Sequence, residues 1–188
     1  MKKKLFTLML AMSLTICSIA PHKILPKTET VADAAQNKTP TVSKLRKAVE
    51  EAYGENFVAN VTLTKKEIKE RYKIQSSWYS NVSAQVPMIS AQVDTLVIAK
   101  AKNANTKKKI KKALTEYRQG LIDDSMQYPM NVPKIAASRV YVKDNYVFFI
   151  MLGFIDNSIE ENGDDEAIVT AYKEQNKIAV DAINALFK

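Results

Sequence analysis

The chain alternates between stretches in which apolar residues have the 3.6-residue spacing of an amphipathic helix and short runs rich in β-branched and aromatic residues. Helical spacing over Val42–Tyr53, followed by Gly54, predicts a first helix with a glycine at its end. A second, shorter helix is predicted from Lys65, because Thr64 and Glu67 have the spacing of a capping box.

Two further helices are predicted to be longer. One begins at a cap at Asn105 or Thr106 and continues to about Met126, and the last covers about Asp164–Phe187. Between them, residues 128–133 contain two prolines, which predicts a connector rather than a regular helix.

Strands are predicted from runs with a different pattern. Thr95–Ala99 is apolar at nearly every position, which is typical of a strand buried on both faces. Arg139–Lys143 and Tyr146–Leu152 flank an Asp-Asn dipeptide at 144–145 that tolerates the positive φ of a tight hairpin turn. The segment Trp78–Ile89 is ambiguous, because Pro87 argues against a central strand.

These elements predict an α+β fold with the order α-α-(β)-β-α-β-β-α. We expect a small, mainly antiparallel sheet of three to four strands packed by helices. Residues 35–40 are polar and predict a linker, and residues 41–188 are long enough for a single domain.

The first 34 residues are expected to be a signal peptide. Three lysines at positions 2–4 precede the apolar run Leu5–Ala20, which is shorter than the roughly 20 residues that a membrane-spanning helix needs. Small residues permit cleavage after Ala20 or after Ala34, and Pro21 disfavours the first site because proline lacks a backbone N–H. We therefore expect cleavage after Ala34 and an extracytoplasmic location, either secreted or attached to the outer face of the membrane.

Cys17 leaves a second processing route open, in which its sulfur carries a lipid and the protein is a Gram-positive-type lipoprotein. The residue before such a cysteine is normally small, whereas Ile16 is large. The alternative is that Cys17 is only a small apolar residue of the signal segment.

The composition after Ala34 excludes several kinds of site. The single cysteine and the single histidine, Cys17 and His22, both lie in the signal segment, so the domain cannot build a Ser-His-Asp triad, a Cys-His pair or a zinc site with either ligand. The four glycines are too scattered for a phosphate-binding loop. We expect no cofactor, no metal and no nucleotide.

Positive charge is concentrated in one segment. The first 34 residues carry five of the 28 Lys and Arg and two of the 20 Asp and Glu, which leaves a net charge of +5 for the remainder. Residues 100–118 hold eight positive charges and one glutamate, several of them at a predicted helix start where the helix dipole disfavours cations. The candidates for binding an anionic wall polymer or lipid surface are Lys107, Lys108, Lys111 and Lys112. The alternative is a solvated face that aids solubility, and nucleic acid is not an expected partner outside the cell.

Carboxylates are the remaining candidates for catalysis or metal binding. Asp123 and Asp124 are adjacent at a predicted helix end and point about 100° apart, so they do not face each other as an acid and a base would. In the acidic run from Asp156, an EF-hand would need glycine and glutamate where Glu161 and Ala167 stand. No catalytic residue is predicted.

Four segments resemble a known bacterial family. They are PMIS at 87–90, DTLVIAK at 94–100, QYPMN at 127–131 and YVFFIMLG at 146–153. Together they are similar to the family named domain of unknown function 4358, of exported proteins and lipoproteins of clostridia-like Gram-positive bacteria, over about residues 42–155. The resemblance implies a cell-envelope location and brings no catalytic residue.

We therefore expect an exported or cell-envelope protein with a non-enzymatic binding or accessory domain. Its partner would be an envelope protein, or an anionic wall polymer or lipid surface. The alternative is an enzyme that acts on envelope glycan or peptide through carboxylates such as Asp123 and Asp124.

Overall fold

The computed structural model describes residues 39–187. The helices are α1 (Val42–Tyr53), α2 (Lys65–Tyr72), α3 (Ala104–Asp123), α4 (Val132–Ala137), α5 (Asn157–Asn162) and α6 (Asp165–Ala185). The strands are β1 (Val61–Thr62), β2 (Tyr79–Val86), β3 (Thr95–Ala101), β4 (Arg139–Lys143) and β5 (Tyr146–Met151). The predicted signal peptide, with Cys17 and the Ala34 cleavage site, lies outside the described residues.

The strands form one antiparallel sheet in the order β1-β2-β3-β5-β4. Successive side chains of β3 and β5 point to opposite faces, and both faces are covered. Leu96 and Phe148 pack in a core with α1 and α6, whereas Val97 and Phe149 pack in a core with α2 and α3. Burial on both sides explains why β3 and β5 are apolar at nearly every position.

The α+β class and the antiparallel sheet agree with the prediction, but the predicted strand count and element order are wrong. The described residues form five strands, and the order is α-β-α-β-β-α-α-β-β-α-α. Pro87 lies just after β2 ends at Val86, so it removes no ladder hydrogen bond and does not prevent a strand between β1 and β3. With only two residues, β1 has too little sequence to show a period.

Two helices also form where none was predicted. Pro133 lies in the first turn of α4, where a backbone N–H has no intrahelical partner, so proline is tolerated there. The acidic segment before α6 forms α5, with Asp156 as its N-cap. The cap of α3 is Asn103 rather than Asn105 or Thr106, and α3 ends before Met126. Within residues 39–187, no helix is both long and apolar enough to cross a membrane.

The antiparallel register brings three connectors to one end of the sheet, which we call the connector end. They are residues 87–94 after β2, residues 124–131 after α3 and residues 152–156 after β5. At the opposite end, Lys107 at the start of α3 donates from Nζ to the carbonyl oxygen of Asp144 in the β4–β5 turn, at 2.7 Å.

Candidate functional site

A buried ion pair lies at the connector end. Lys134 of α4 donates from Nζ to Oδ2 of Asp94, which precedes β3, at 2.5 Å. The exposed fraction is 6% for the Lys134 side chain and 2% for that of Asp94. A fully buried charge is rare unless it is paired, so these two residues depend on each other.

The surrounding backbone fixes the pair in place. Asp94 Oδ1 accepts a hydrogen bond from the Gly153 N–H at 3.0 Å, so the carboxylate joins the start of β3 to the segment after β5. Asn131 donates from Nδ2 to the Ala91 carbonyl at 2.9 Å and ties the connector before α4 to the connector before β3. All three connectors therefore meet at the Asp94–Lys134 pair.

A cleft of about 290 Å³ opens above this pair, and we call it the connector-end cleft. Its walls come from the three connectors, α5 and α6, and include Met130, Phe154, Glu160 and Tyr172. The Lys134 Nζ lies 4.8 Å from the centroid of the Phe154 ring and 5.6 Å from that of Tyr172. The ammonium group thus faces two aromatic rings as well as its carboxylate partner, in a cation–π arrangement.

Burial and the charge of the partner shift the pKa values of Asp94 and Lys134 in opposite directions. Burial raises the pKa of the Asp94 carboxyl and lowers the pKa of the Lys134 ammonium, because a charged group loses solvation inside the protein. In each case the opposite charge of the partner offsets part of the effect. Because each group already has a charged partner, neither carboxylate nor amine is poised as an unengaged base or nucleophile.

Large apolar side chains are exposed on the connectors and α5, and two of them, Met130 and Phe154, line the cleft. Met88 is 80% exposed on the β2–β3 connector, Met130 is 67% exposed on the α3–α4 connector, and Phe154 is 42% exposed after β5. Ile89 and Ile159 are also exposed. Single exposed apolar residues are ordinary, but several of them on the connectors and α5, with two in the wall of a cleft, mark an interaction surface.

The same end of the molecule is acidic. The three connectors and α5 contain no lysine or arginine, although the whole chain has a net charge of +8. Glu160 lines the cleft, and Asp156 and Glu161 are exposed beside it on the same segment. The connector end thus combines apolar side chains with negative charge.

The lysines that the sequence analysis selected lie elsewhere, in the first half of α3, and they do not form one cluster. Lys107 is bonded to the β4–β5 turn, and Lys112 forms an ion pair with Glu116 at 2.9 Å. Lys108 and Lys111 are exposed and form no ion pair with any described residue.

The candidate carboxylates Asp123 and Asp124 do not form a pair. Asp123 accepts a hydrogen bond from Gln119, and Asp124 accepts from the backbone N–H of Met126 and from the side chain of Gln127. Both are exposed at the end of α3. Their oxygens are used for local hydrogen bonds.

Neither Lys134 nor Asp94 was predicted as a site residue, although the sequence contains a signal for both. Asp94 is the only charged residue between Lys73 and Lys100, and Lys134 is the only one between Asp124 and Arg139. Two isolated charges of opposite sign in apolar segments are candidates for a buried pair.

The comparisons with known proteins give one match. No curated protein and no solved structure matches the chain. The family model described as "Domain of unknown function (DUF4358)" matches residues 52–152, more than half of the chain, and confirms the predicted resemblance. This range includes both residues of the buried pair, and the chain belongs to the DUF4358 family.

Proposed function

We propose that this protein is an exported, extracytoplasmic binding domain without enzymatic activity, and that its partner-binding surface is the connector-end cleft. The observation that carries the proposal is a cleft lined by all three connectors, with the exposed side chains of Met130 and Phe154 in its wall and a buried ion pair at its base. The ion pair gives the cleft a fixed base, and the apolar rim gives a partner surface to bury.

The proposed partner is a polypeptide segment with apolar and basic side chains. Apolar side chains would pack against Met130 and Phe154, and lysines or arginines would be attracted by Glu160 and the carboxylates beside it. An acidic partner would meet like charge at this end and is disfavoured.

A photocrosslinking experiment tests the surface and the partner class together. A photoreactive amino acid replaces Met130 in the cleft or, as a control, Asn81, which is exposed on β2. We expect position 130 to give a specific adduct in producing cells, and mass spectrometry to identify the crosslinked segment as basic and apolar. Equal adducts at both positions, or an acidic or polysaccharide partner, would contradict the proposal.

Two matched variants test whether the apolar rim contributes to affinity. Met130→Ser removes a methionine at the cleft, and Met126→Ser removes one that is 87% exposed but does not line the cleft. We expect Met130→Ser to weaken binding of the captured partner about 5-fold or more and Met126→Ser to change it less than 2-fold. Equal effects would show that the cleft is not the binding surface.

Export is tested separately. Mass spectrometry of the protein from the culture medium and the cell envelope should find a mature N-terminus at Ala35. A lipid-modified Cys17 at the N-terminus would support the lipoprotein route, and recovery of the unprocessed chain from the cytoplasm alone would contradict export.

The enzyme alternative has little support from the geometry. Asp123 and Asp124 are exposed and engaged in local hydrogen bonds, and the two buried charges of the cleft, Asp94 and Lys134, are paired with each other. An inward-facing carboxylate without a charged partner would be needed for that chemistry.

A further inference from the structure

A second concave surface lies at the C-terminal end of α4, whereas the connector-end cleft lies at its N-terminal end. This groove of about 330 Å³ opens between α3, the end of α4, the start of β4 and α6. Its charged lining consists of four cations and one carboxylate, namely Arg118, Arg139, Lys173, Lys177 and Glu174. Its positively charged residues come from three elements, α3, β4 and α6, and not from the face of a single helix.

Arg118 is held in a fixed orientation at the base of this groove. Its Nε donates to the Ser138 carbonyl at 2.7 Å, and one terminal nitrogen donates to the Ala136 carbonyl at 2.8 Å. These two bonds cap the end of α4 and use two of the five N–H donors of the guanidinium group. The remaining donors are presented by a side chain that is already ordered, which lowers the entropy cost of binding an anion.

Positive charge continues from the groove along one side of the edge strand β4. Lys107, Lys111 and Arg118 lie within about 40° of one another around the α3 axis, so they form a row about 16 Å long. Lys107 is fixed at the far end by its bond to the β4–β5 turn, and Arg118 is fixed at the near end by its bonds to Ala136 and Ser138. The row therefore follows β4 from end to end.

A second row runs along the other side of β4. Arg139 and Lys143 are four residues apart on the strand and point to the same face, about 13 Å apart. The helix α6 follows this face, because Tyr141 donates from its hydroxyl to Asn184 at 2.7 Å and the Lys143 Nζ lies 5.8 Å from the Phe187 ring centroid. Lys173 and Lys177 of α6 extend the row at the groove.

The two rows place seven cations around the outer edge of β4, which pairs with no other strand of residues 39–187. The nearby carboxylates are Asp144, Glu174 and Asp181, and Asp181 is already paired with Lys177 at 2.5 Å. Like charges at this density repel one another, and the fold gains nothing from their proximity. Lysines on an edge strand do discourage pairing between sheets, but that purpose requires neither the groove nor an arginine fixed at its base.

We propose that this groove and the two rows bind a linear polyanion with repeated phosphodiester groups. Arginine presents a planar fork that matches two oxygens of one phosphate, and the lysines supply point charges along the chain. A groove from which two rows of cations continue along a strand edge accommodates an extended chain, whereas a membrane surface would contact a flat patch. This site is independent of the connector-end cleft.

The proposed site includes only two of the four candidate lysines of α3. Lys107 and Lys111 belong to the proposed surface. Lys108 and Lys112 are turned about 100° or more away from Lys107 around the helix axis, so they lie outside it.

The test measures binding of the purified full chain to poly(glycerol phosphate) by calorimetry at two salt concentrations. The groove variant combines Arg139→Gln, Lys173→Gln and Lys177→Gln, and leaves Arg118 intact because it caps α4. The control combines Lys65→Gln, Lys66→Gln and Lys69→Gln, which removes the same charge from exposed positions of α2. We expect the groove variant to raise the Kd at least 10-fold and the control to raise it less than 3-fold, with binding that weakens steeply with salt.

Three further measurements decide the ligand class and the role of the cations. Phosphatidylglycerol vesicles and polyglutamate should bind more weakly than the polymer, and preferential binding to either would overturn the assignment of a phosphodiester polymer. Equal losses in the groove and control variants would show that only net charge matters and would also overturn it. The assignment would also be overturned if the groove variant self-associates in light scattering but keeps its affinity for the polymer. The cations would then serve to prevent β4 from pairing with the sheet of another molecule.

Discussion

The Nζ of Lys134 lies 2.5 Å from Oδ2 of Asp94, and the two side chains are almost completely buried. The pair joins α4 to the start of β3, and the second oxygen of Asp94 extends the link to Gly153. A buried ion pair adds little to stability relative to well-packed apolar residues, but the removal of one partner leaves an uncompensated charge.

We therefore expect Lys134→Met to destabilise the protein strongly at neutral pH. By analogy with other broken buried pairs, the free energy of unfolding should fall by about 3–5 kcal/mol. The double variant Asp94→Asn with Lys134→Met should recover at least half of this loss, because no charge is then left buried and the amide oxygen introduced at position 94 can still accept from Gly153. Urea unfolding at pH 7 measures both, and additive losses would contradict the coupling.

The Lys134→Met variant should also respond to pH in a defined direction. Burial already raises the pKa of Asp94 in the intact protein, and loss of the neighbouring cation raises it further. A carboxyl whose pKa is higher in the folded than in the unfolded state favours folding when it is protonated, so the deficit of the variant should shrink as the pH falls from 7 towards about 4. Urea unfolding at several pH values checks this, and a constant deficit would mean that Asp94 does not cause the loss.

Gly153 should tolerate no side chain, in contrast to Gly120. Gly153 has a φ of +95°, and a Cβ added there would lie 2.6 Å from Oε1 and 2.9 Å from Cβ of Gln175. Backbone strain and contact should destabilise Gly153→Ala by about 2–4 kcal/mol. Gly120 lies inside α3 with no atom within 4 Å of an added Cβ, so Gly120→Ala should raise the free energy of unfolding by about 0.5–1 kcal/mol. Thermal unfolding compares the two, and similar effects would contradict this account.

Local patterns predicted most of the elements. The capping box at Thr64 and Glu67 forms as predicted. The hairpin turn forms at the predicted Asp-Asn dipeptide, but only Asp144 has a positive φ, of 49°, and Asn145 does not. These features depend on residues within four positions of each other, so the sequence contains the whole signal.

The site was harder to predict because its parts are far apart along the chain. Asp94 and Lys134 are 40 residues apart, and Lys134 lies on a helix of only six residues whose apolar pattern is too short to identify. Their meeting depends on the return of α3 along the sheet, which no local signal specifies. The choice of four lysines on α3 has the same weakness, because three of the four cations that line the groove come from β4 and α6.

Asn176 should be essential for stability although it lines neither proposed binding surface. This fully buried amide accepts from the Leu152 N–H at 2.9 Å and donates to the Ala137 carbonyl at 3.1 Å, so it joins the end of β5 to the end of α4. Asn176→Ala would leave both backbone groups buried and unpaired, and should lower the free energy of unfolding by about 2–4 kcal/mol. Asn184→Ala loses a single, half-buried bond from Tyr141 and should cost about 1 kcal/mol. Equal losses in chemical unfolding would contradict the distinction.

The last prediction concerns the charge of the connector-end cleft. Glu160 lines the cleft, whereas Glu161 is its neighbour on α5 and does not. If a basic segment binds there, Glu160→Gln should weaken binding of the partner captured through position 130 by about 3–10-fold, and Glu161→Gln should change it less than 2-fold.

The difference between the two variants should shrink at high salt, because mobile ions screen an exposed charge pair. Surface plasmon resonance at two ionic strengths measures both effects. A partner that binds Glu160→Gln more tightly would be acidic and would contradict the proposed complementarity, while the apolar contacts of Met130 would still be tested by their own variant.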